Sequence, residues 1–81
     1  MVVGDSAFGF SGMEMETAAR YNLPLKVIII NNNGIGVGVE SIDKSDTKNI
    51  PVGALSPGSQ YELLSIAFGG KGACVKDHKS L

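Results

Sequence analysis

Val27 to Ile30 is the longest apolar run in the chain, and all four of its residues are β-branched. With Leu25 in front of it, the run reads as a strand, Leu25 to Ile30, apolar on both faces. Such a strand belongs in the middle of a parallel sheet that is covered on two sides. It is far too short to span a bilayer. It closes on Asn31-Asn32-Asn33-Gly34, and a weaker apolar stub, Met1-Val2-Val3, closes on Gly4-Asp5-Ser6. Asp5 and Asn32 stand 27 positions apart, which leaves room for one helix. Strand, crossover helix and strand make a right-handed βαβ unit. The two polar turns then share the edge of the sheet where open α/β folds bind their ligands. The fold class expected is α/β, as a partial three-layer αβα domain with a parallel sheet.

The connecting segments are read from turn and cap chemistry. Gly4 to Gly12 is expected to be a loop with three glycines, and Ser11-Gly12-Met13-Glu14 matches a capping box at a helix start. The helix is expected from about Gly12 to Tyr21, with Met15, Ala18 and Ala19 turned to the sheet. Asn22 and Pro24 stop it, since Asn tolerates the left-handed cap and Pro cannot continue a helix. Residues 36–58 show no periodicity and form an irregular loop, of a length usual for lids or for segments ordered by a partner. Ser59-Gln60-Tyr61-Glu62 is a second capping box, opening a helix with Tyr61, Leu64, Ile66, Ala67 and Phe68. Gly69-Gly70 ends that helix, and Ala73-Cys74-Val75 is expected as a short last strand.

Eighty-one residues allow a single domain, 1–81. A chain of this size buries only ~60–65% of its unfolded surface, so alone it would be marginally stable. A first strand at residue 2 and a last one around Cys74 predict a fragment of a larger α/β protein. The net charge of -1 gives no reason to expect nucleic acid or an anionic membrane as partner. Met1 leads into Val2-Val3 without a charged leader, so no signal peptide is expected. Cys74 is the only cysteine, which excludes an intrachain disulfide and fits a reducing compartment. It is expected to be a small core residue, and His78 a solvent-exposed one. Gly34-Ile35-Gly36-Val37-Gly38 lacks dinucleotide-loop spacing, and Gly70-Lys71-Gly72 lacks the Ser or Thr of a phosphate-binding Lys loop.

The remaining chemistry lies in the two polar turns. Magnesium takes six oxygens and usually shares its shell with phosphate. Asp5 offers a charged oxygen, Asn32 an amide oxygen and Gly34 a backbone carbonyl. A diphosphate would supply further oxygens and most of the negative charge. The amides of Ser6, Ala7 and Phe8, ahead of the capped helix, are placed to donate to it. The pattern points to a magnesium–diphosphate cofactor. Gly-Asp and Asn-Gly are also ordinary turn chemistry. Their one-helix spacing and shared sheet edge favour the site.

Gly4-Asp5 followed at this distance by Asn31-Asn32 resembles the signature of the thiamine diphosphate enzymes related to pyruvate decarboxylase and acetolactate synthase. The stretch Gly4 to Glu14, then Glu16-Thr17 and Arg20-Tyr21-Asn22-Leu23-Pro24, is similar to the branch of 2-hydroxyacyl-CoA lyase and oxalyl-CoA decarboxylase. Most of the superfamily has Gly where this chain has Ser6. Asn31-Asn32-Asn33, Leu55, Pro57, Tyr61-Glu62 and Ala67 to Gly72 are more like the lyase. The similarity is strong over residues 3–35 and 55–72 and poor over 36–54.

The resemblance implies thiamine diphosphate and Mg2+ as cofactors. By resemblance Asp5, Asn32 and the Gly34 carbonyl hold the metal. Gly4 opens the cofactor loop, Ser6, Ala7 and Phe8 lie where the family holds the diphosphate, and Ile35 supports the bent cofactor. It implies an acyl-CoA substrate and cleavage of a 2-hydroxyacyl-CoA to formyl-CoA and a shortened aldehyde, as in fatty acid α-oxidation. The alternatives are an oxalyl-CoA decarboxylase-like enzyme, or an inactive cofactor-binding or association fragment. The location implied is peroxisomal in a eukaryote and cytoplasmic otherwise. The parent is expected to be a homo-oligomer, dimer or tetramer, in which a partner subunit supplies the Glu that activates the aminopyrimidine. No catalytic residue is expected within these 81 positions. In the family a Tyr usually follows the equivalent of Ile35; here Gly36 stands there.

Overall fold

The computed structural model describes residues 1–36, 42–43 and 45–79. Its elements are β1 (Val2–Gly4), α1 (Asp5–Ser11), a 3₁₀ turn (Gly12–Glu14), α2 (Met15–Arg20), β2 (Ile28–Ile30), a second 3₁₀ turn (Thr47–Asn49) and α3 (Glu62–Ala67). They fall into two compact units. One contains Met1–Ser11 and Leu25–Ser59, the other Gly12–Pro24 and Gln60–Leu81.

In the first unit β1 and β2 pair in parallel, with Val2 opposite Ile28, Val3 opposite Ile29 and Gly4 opposite Ile30. This is the parallel pair that the two apolar runs predict, and α1 packs on both strands. The second strand is shorter than expected, because Leu25 to Val27 lie outside it. The expected cover on both faces is also not met among the described residues. Val2, Ile28 and Ile30 share one face by their register, and they are 66%, 58% and 60% exposed. Phe8 of α1 is the buried apolar residue of this unit.

The helix follows β1 without the expected loop: Asp5 is already its first residue. Two glycines, Gly9 and Gly12, lower the helix propensity of this stretch. Burial of Phe8, three residues in, and acceptance of the Ser6 amide by Asp5 Oδ1 at 3.0 Å offset that cost. Ser11 therefore sits at the end of a helix rather than at the start of one, and its capping box does not form. Glu14 precedes α2 without a side-chain cap, and its Oε2 instead accepts the Thr17 hydroxyl at 3.1 Å.

In the second unit α2 packs against α3, and Ala18 is buried. Ala19, expected to face inward with it, is exposed. Both helices stop by the same device. At α2, Asn22 takes φ 54, its amide donates to the Ala19 carbonyl at 3.1 Å and the Leu23 amide to Ala18 at 2.9 Å. At α3, Gly69 takes φ 90, donating to Ile66 at 3.0 Å, and Gly70 donates to Ser65 at 2.8 Å. This is the Schellman pattern, with Asn or Gly in the left-handed position, and it meets the sequence expectation at both ends. The second capping box fails as the first does. Ser59 Oγ donates to the Ser56 carbonyl at 3.0 Å, and Tyr61 precedes α3 without a side-chain cap. Ala73 to Val75 form no strand, contrary to expectation, and Cys74 is exposed rather than in a core.

On the surface of α2, Arg20 Nε meets Glu16 Oε2 at 3.0 Å, and its guanidinium lies 5.1 Å from the Tyr21 ring centroid. The hydrogen bonds and the charge of Arg20 hold the Glu16 carboxyl below its ordinary value of 4.5. A lowered carboxyl contributes stability above its unfolded value and loses it as pH falls through the folded one. The pair's contribution should thus vanish in acid, below pH 4.5. A carboxyl titration by NMR should place Glu16 below that value, and Arg20→Gln should return it. An unchanged Glu16 midpoint in that variant would rule out the pairing.

Candidate functional site

The pairing of Gly4 with Ile30 fixes the geometry of the site. Asp5 comes one residue after Gly4, and Asn31 and Asn32 come directly after Ile30, so both polar turns leave the same edge of one parallel pair. Asp5 is only 1% exposed, and its two oxygens have different fates. Oδ1 accepts the Ser6 amide, while the buried Oδ2 has no hydrogen-bond partner among the described residues. A buried polar atom left unpaired costs ~1–3 kcal/mol, so such atoms call for a reason.

Each of the three asparagines has its own task. Asn31 Oδ1 accepts the Asn33 amide at 2.9 Å, closing the turn. Asn32 Oδ1 accepts the Gly34 amide at 3.3 Å, and its Nδ2 donates to the Gly36 carbonyl at 3.1 Å. Asn33 takes φ 62, and its Oδ1 accepts the Gly58 amide at 3.1 Å. Gly34 is buried and forms an antiparallel bridge with Ala54. The bonds that define the bridge flank the pair: Ile35 N–H to Gly53 O at 2.7 Å and Leu55 N–H to Asn33 O at 2.9 Å. In a pair of this kind the residues' own N–H and C=O groups point away from the partner strand. The Gly34 carbonyl therefore lies outside the ladder.

These observations fit a hard cation. Asp5 Oδ2 lacks a partner, Asn32 Oδ1 has a second lone pair beyond the one used by Gly34, and the Gly34 carbonyl is turned out of the ladder. No three His, Cys, Asp or Glu side chains cluster as a metal site among the described residues. Most ligand oxygens would then come from amide, backbone and the bound molecule, as magnesium with a diphosphate requires. Ser6, Ala7 and Phe8 lie in the first turn of α1, not in a loop. The Ser6 amide is taken up by Asp5, and the Phe8 side chain serves packing. Ile35 is exposed beside Gly34, as a residue meant to touch a ligand would be. Gly36 takes φ 76, a conformation that L side chains rarely adopt. By resemblance Tyr is expected at this position. Val37 and Gly38, which follow it, lie outside the described residues.

Asn33 and the segment that returns to it had no signal in the spacing of the motifs. The segment 53–58 falls within the stretch expected to be irregular, yet it is tied back to the asparagine turn by the three bonds above. The Asn33-Gly34 dipeptide marks a turn, but nothing in it says which distant amide the Asn side chain will meet.

An α/β frame thus presents one buried carboxyl and an asparagine turn at a single edge. The sequence matches the thiamine pyrophosphate enzyme family, C-terminal TPP binding domain, over residues 1–81, and the chain belongs to that family. It is similar to 2-hydroxyacyl-CoA lyase 1 of Homo sapiens, 46% identical over 87 residues that cover 99% of this chain and 15% of that protein. The Mus musculus 2-hydroxyacyl-CoA lyase 1 is also 46% identical, with the same coverage. Oxalyl-CoA decarboxylase of Escherichia coli (strain K12) is 47% identical over 76 residues, covering 88% of this chain and 12% of its own. The chain thus spans about one-seventh of the length of the lyases it matches. Thiamine diphosphate is the cofactor of this domain family.

Proposed function

We propose that this chain anchors the magnesium–diphosphate end of thiamine diphosphate within a 2-hydroxyacyl-CoA lyase-like carbon–carbon lyase. The observation that supports the reading most is the buried, unpartnered Asp5 Oδ2 at the edge shared with Asn32 and Gly34. Asp5, Asn32 and the Gly34 carbonyl would hold Mg2+, with Gly4, Ser6, Ala7, Phe8 and Ile35 around the cofactor. When bound, thiamine diphosphate supplies the electron sink for cleavage next to a carbonyl. The chain's own residues bind and orient it. The acyl-CoA substrate, the products formyl-CoA and a shortened aldehyde, a homo-oligomeric parent and a peroxisomal setting in a eukaryote belong to the same reading. The similarity to oxalyl-CoA decarboxylase fits an anchor shared by two enzymes whose substrate choice is made elsewhere.

The test is a graft. These 81 residues replace the matching segment of the human lyase, and 2-hydroxyacyl-CoA cleavage is followed with and without thiamine diphosphate and Mg2+. The graft should cleave, and only with both present, whereas the 81 residues alone should give no formyl-CoA. A graft that folds as the parent does yet binds no cofactor would overturn the proposal.

A further inference from the structure

We infer that Asn33 is a positioning residue: its side chain latches the segment 53–58 onto the asparagine turn and so fixes the Gly34 carbonyl and the Asn32 amide for the cation. The inference rests on the anchoring function proposed above. Asn33 holds its position by three separate bonds. Its own amide donates to Asn31 Oδ1. Its carbonyl receives Leu55 N–H. Its Oδ1 receives Gly58 N–H, 25 residues away in sequence.

The neighbours on either side are the two groups offered to the metal. Among the described residues, the Asn32 side chain bonds to Gly34 and Gly36, both within its own turn. Among them too, Gly34 is linked to another segment through the bridge to Ala54. That bridge is bounded on one side by the Asn33 carbonyl and continued by the Gly58 bond. Without the latch, two backbone bonds would still tie the turn to that segment, Ile35 N–H to Gly53 O and Leu55 N–H to Asn33 O, but nothing would hold it at Gly58. Asn is the right residue for the latch on two counts. It tolerates the φ of 62 found here, and it provides an oxygen acceptor at the length required.

Asn33→Gly keeps the positive φ but removes the acceptor, and Asn33→Asp keeps both. In the 81-residue chain two quantities are read: amide exchange at Gly58 and Leu55, and the affinity for thiamine diphosphate in Mg2+. Asn33→Gly should speed exchange at Gly58 and weaken cofactor binding by about fivefold, the usual worth of one hydrogen bond. Asn33→Asp should restore both. If Asn33→Gly frees the Gly58 amide while binding stays at the wild-type level, and Asp5→Ala still weakens it, the positioning role is overturned and the anchor stands. If Asp5→Ala also leaves binding intact, the anchor itself fails and the latch with it.

Discussion

Asp5→Ala removes the magnesium dependence of thiamine diphosphate binding. Affinity in Mg2+ should fall on the order of 100-fold or more, since loss of residues that only support metal ligands already costs 10–100-fold. In the absence of Mg2+ wild type and variant should bind alike. The apo chain should not be weakened by the change. The substitution loses the Ser6 bond, worth ~1 kcal/mol, but relieves a buried unpartnered oxygen that costs ~1–3 kcal/mol. Apo stability should therefore stay as it is or rise by up to about 2 kcal/mol. Calorimetric titration of cofactor into both proteins, with and without Mg2+, settles it. Equal affinities in all four conditions would remove Asp5 from the metal.

Two glycine substitutions should act in opposite directions. A Cβ on Gly72 would collide with the Glu62 carbonyl at the start of α3, and its neighbours there are backbone or Cβ atoms that cannot swing aside. Gly72→Ala should destabilise the second unit by ~1–3 kcal/mol, the usual cost of overpacking. Gly9 lies inside α1 with nothing within 4 Å of its Cβ position. Gly9→Ala should stabilise α1 by about 0.5–1 kcal/mol, as Ala in place of Gly does in a helix. Amide exchange, resolved to α1 and α3, reads each effect at its own element. Equal and unchanged exchange in Gly72→Ala would show that the close approach to Glu62 does not hold in solution.

How far the sequence could be read depended on the range of the interaction. The parallel pair was legible because apolar runs ending in Gly-Asp and Asn-Asn leave few other arrangements. The stops at Asn22 and Gly69 were legible because a left-handed residue is chosen by its own backbone. The two capping boxes misled because a box is only a local option. Ser11 was absorbed into a helix nucleated by Phe8 burial and the Asp5–Ser6 bond, and Ser59 found the Ser56 carbonyl instead. Ala73 to Val75 have strand propensity but form no strand, and propensity alone does not make one. At the candidate site, the placement of Asp5 and Asn32 at one edge could be read from their spacing. The role of Asn33 could not, since its partner amide at Gly58 lies 25 residues away.

That last separation bears on how the chain comes to be folded. The edge that carries Asp5 and Asn32, 27 residues apart, forms only after the loop between them closes, and the Asn33–Gly58 contact needs a second closure of 25. Neither can be nucleated by neighbours in sequence, and each closure costs entropy before its contacts form. Helices α1, α2 and α3 are local and can appear first, on the microsecond scale of helix formation. The anchoring edge is then the late product of folding, completed when the strand pair and the asparagine turn are both in place. A ligand that joins Asp5 to Asn32 bridges the longer of the two closures directly. A cofactor bound there as proposed would therefore favour the closed, folded edge by mass action.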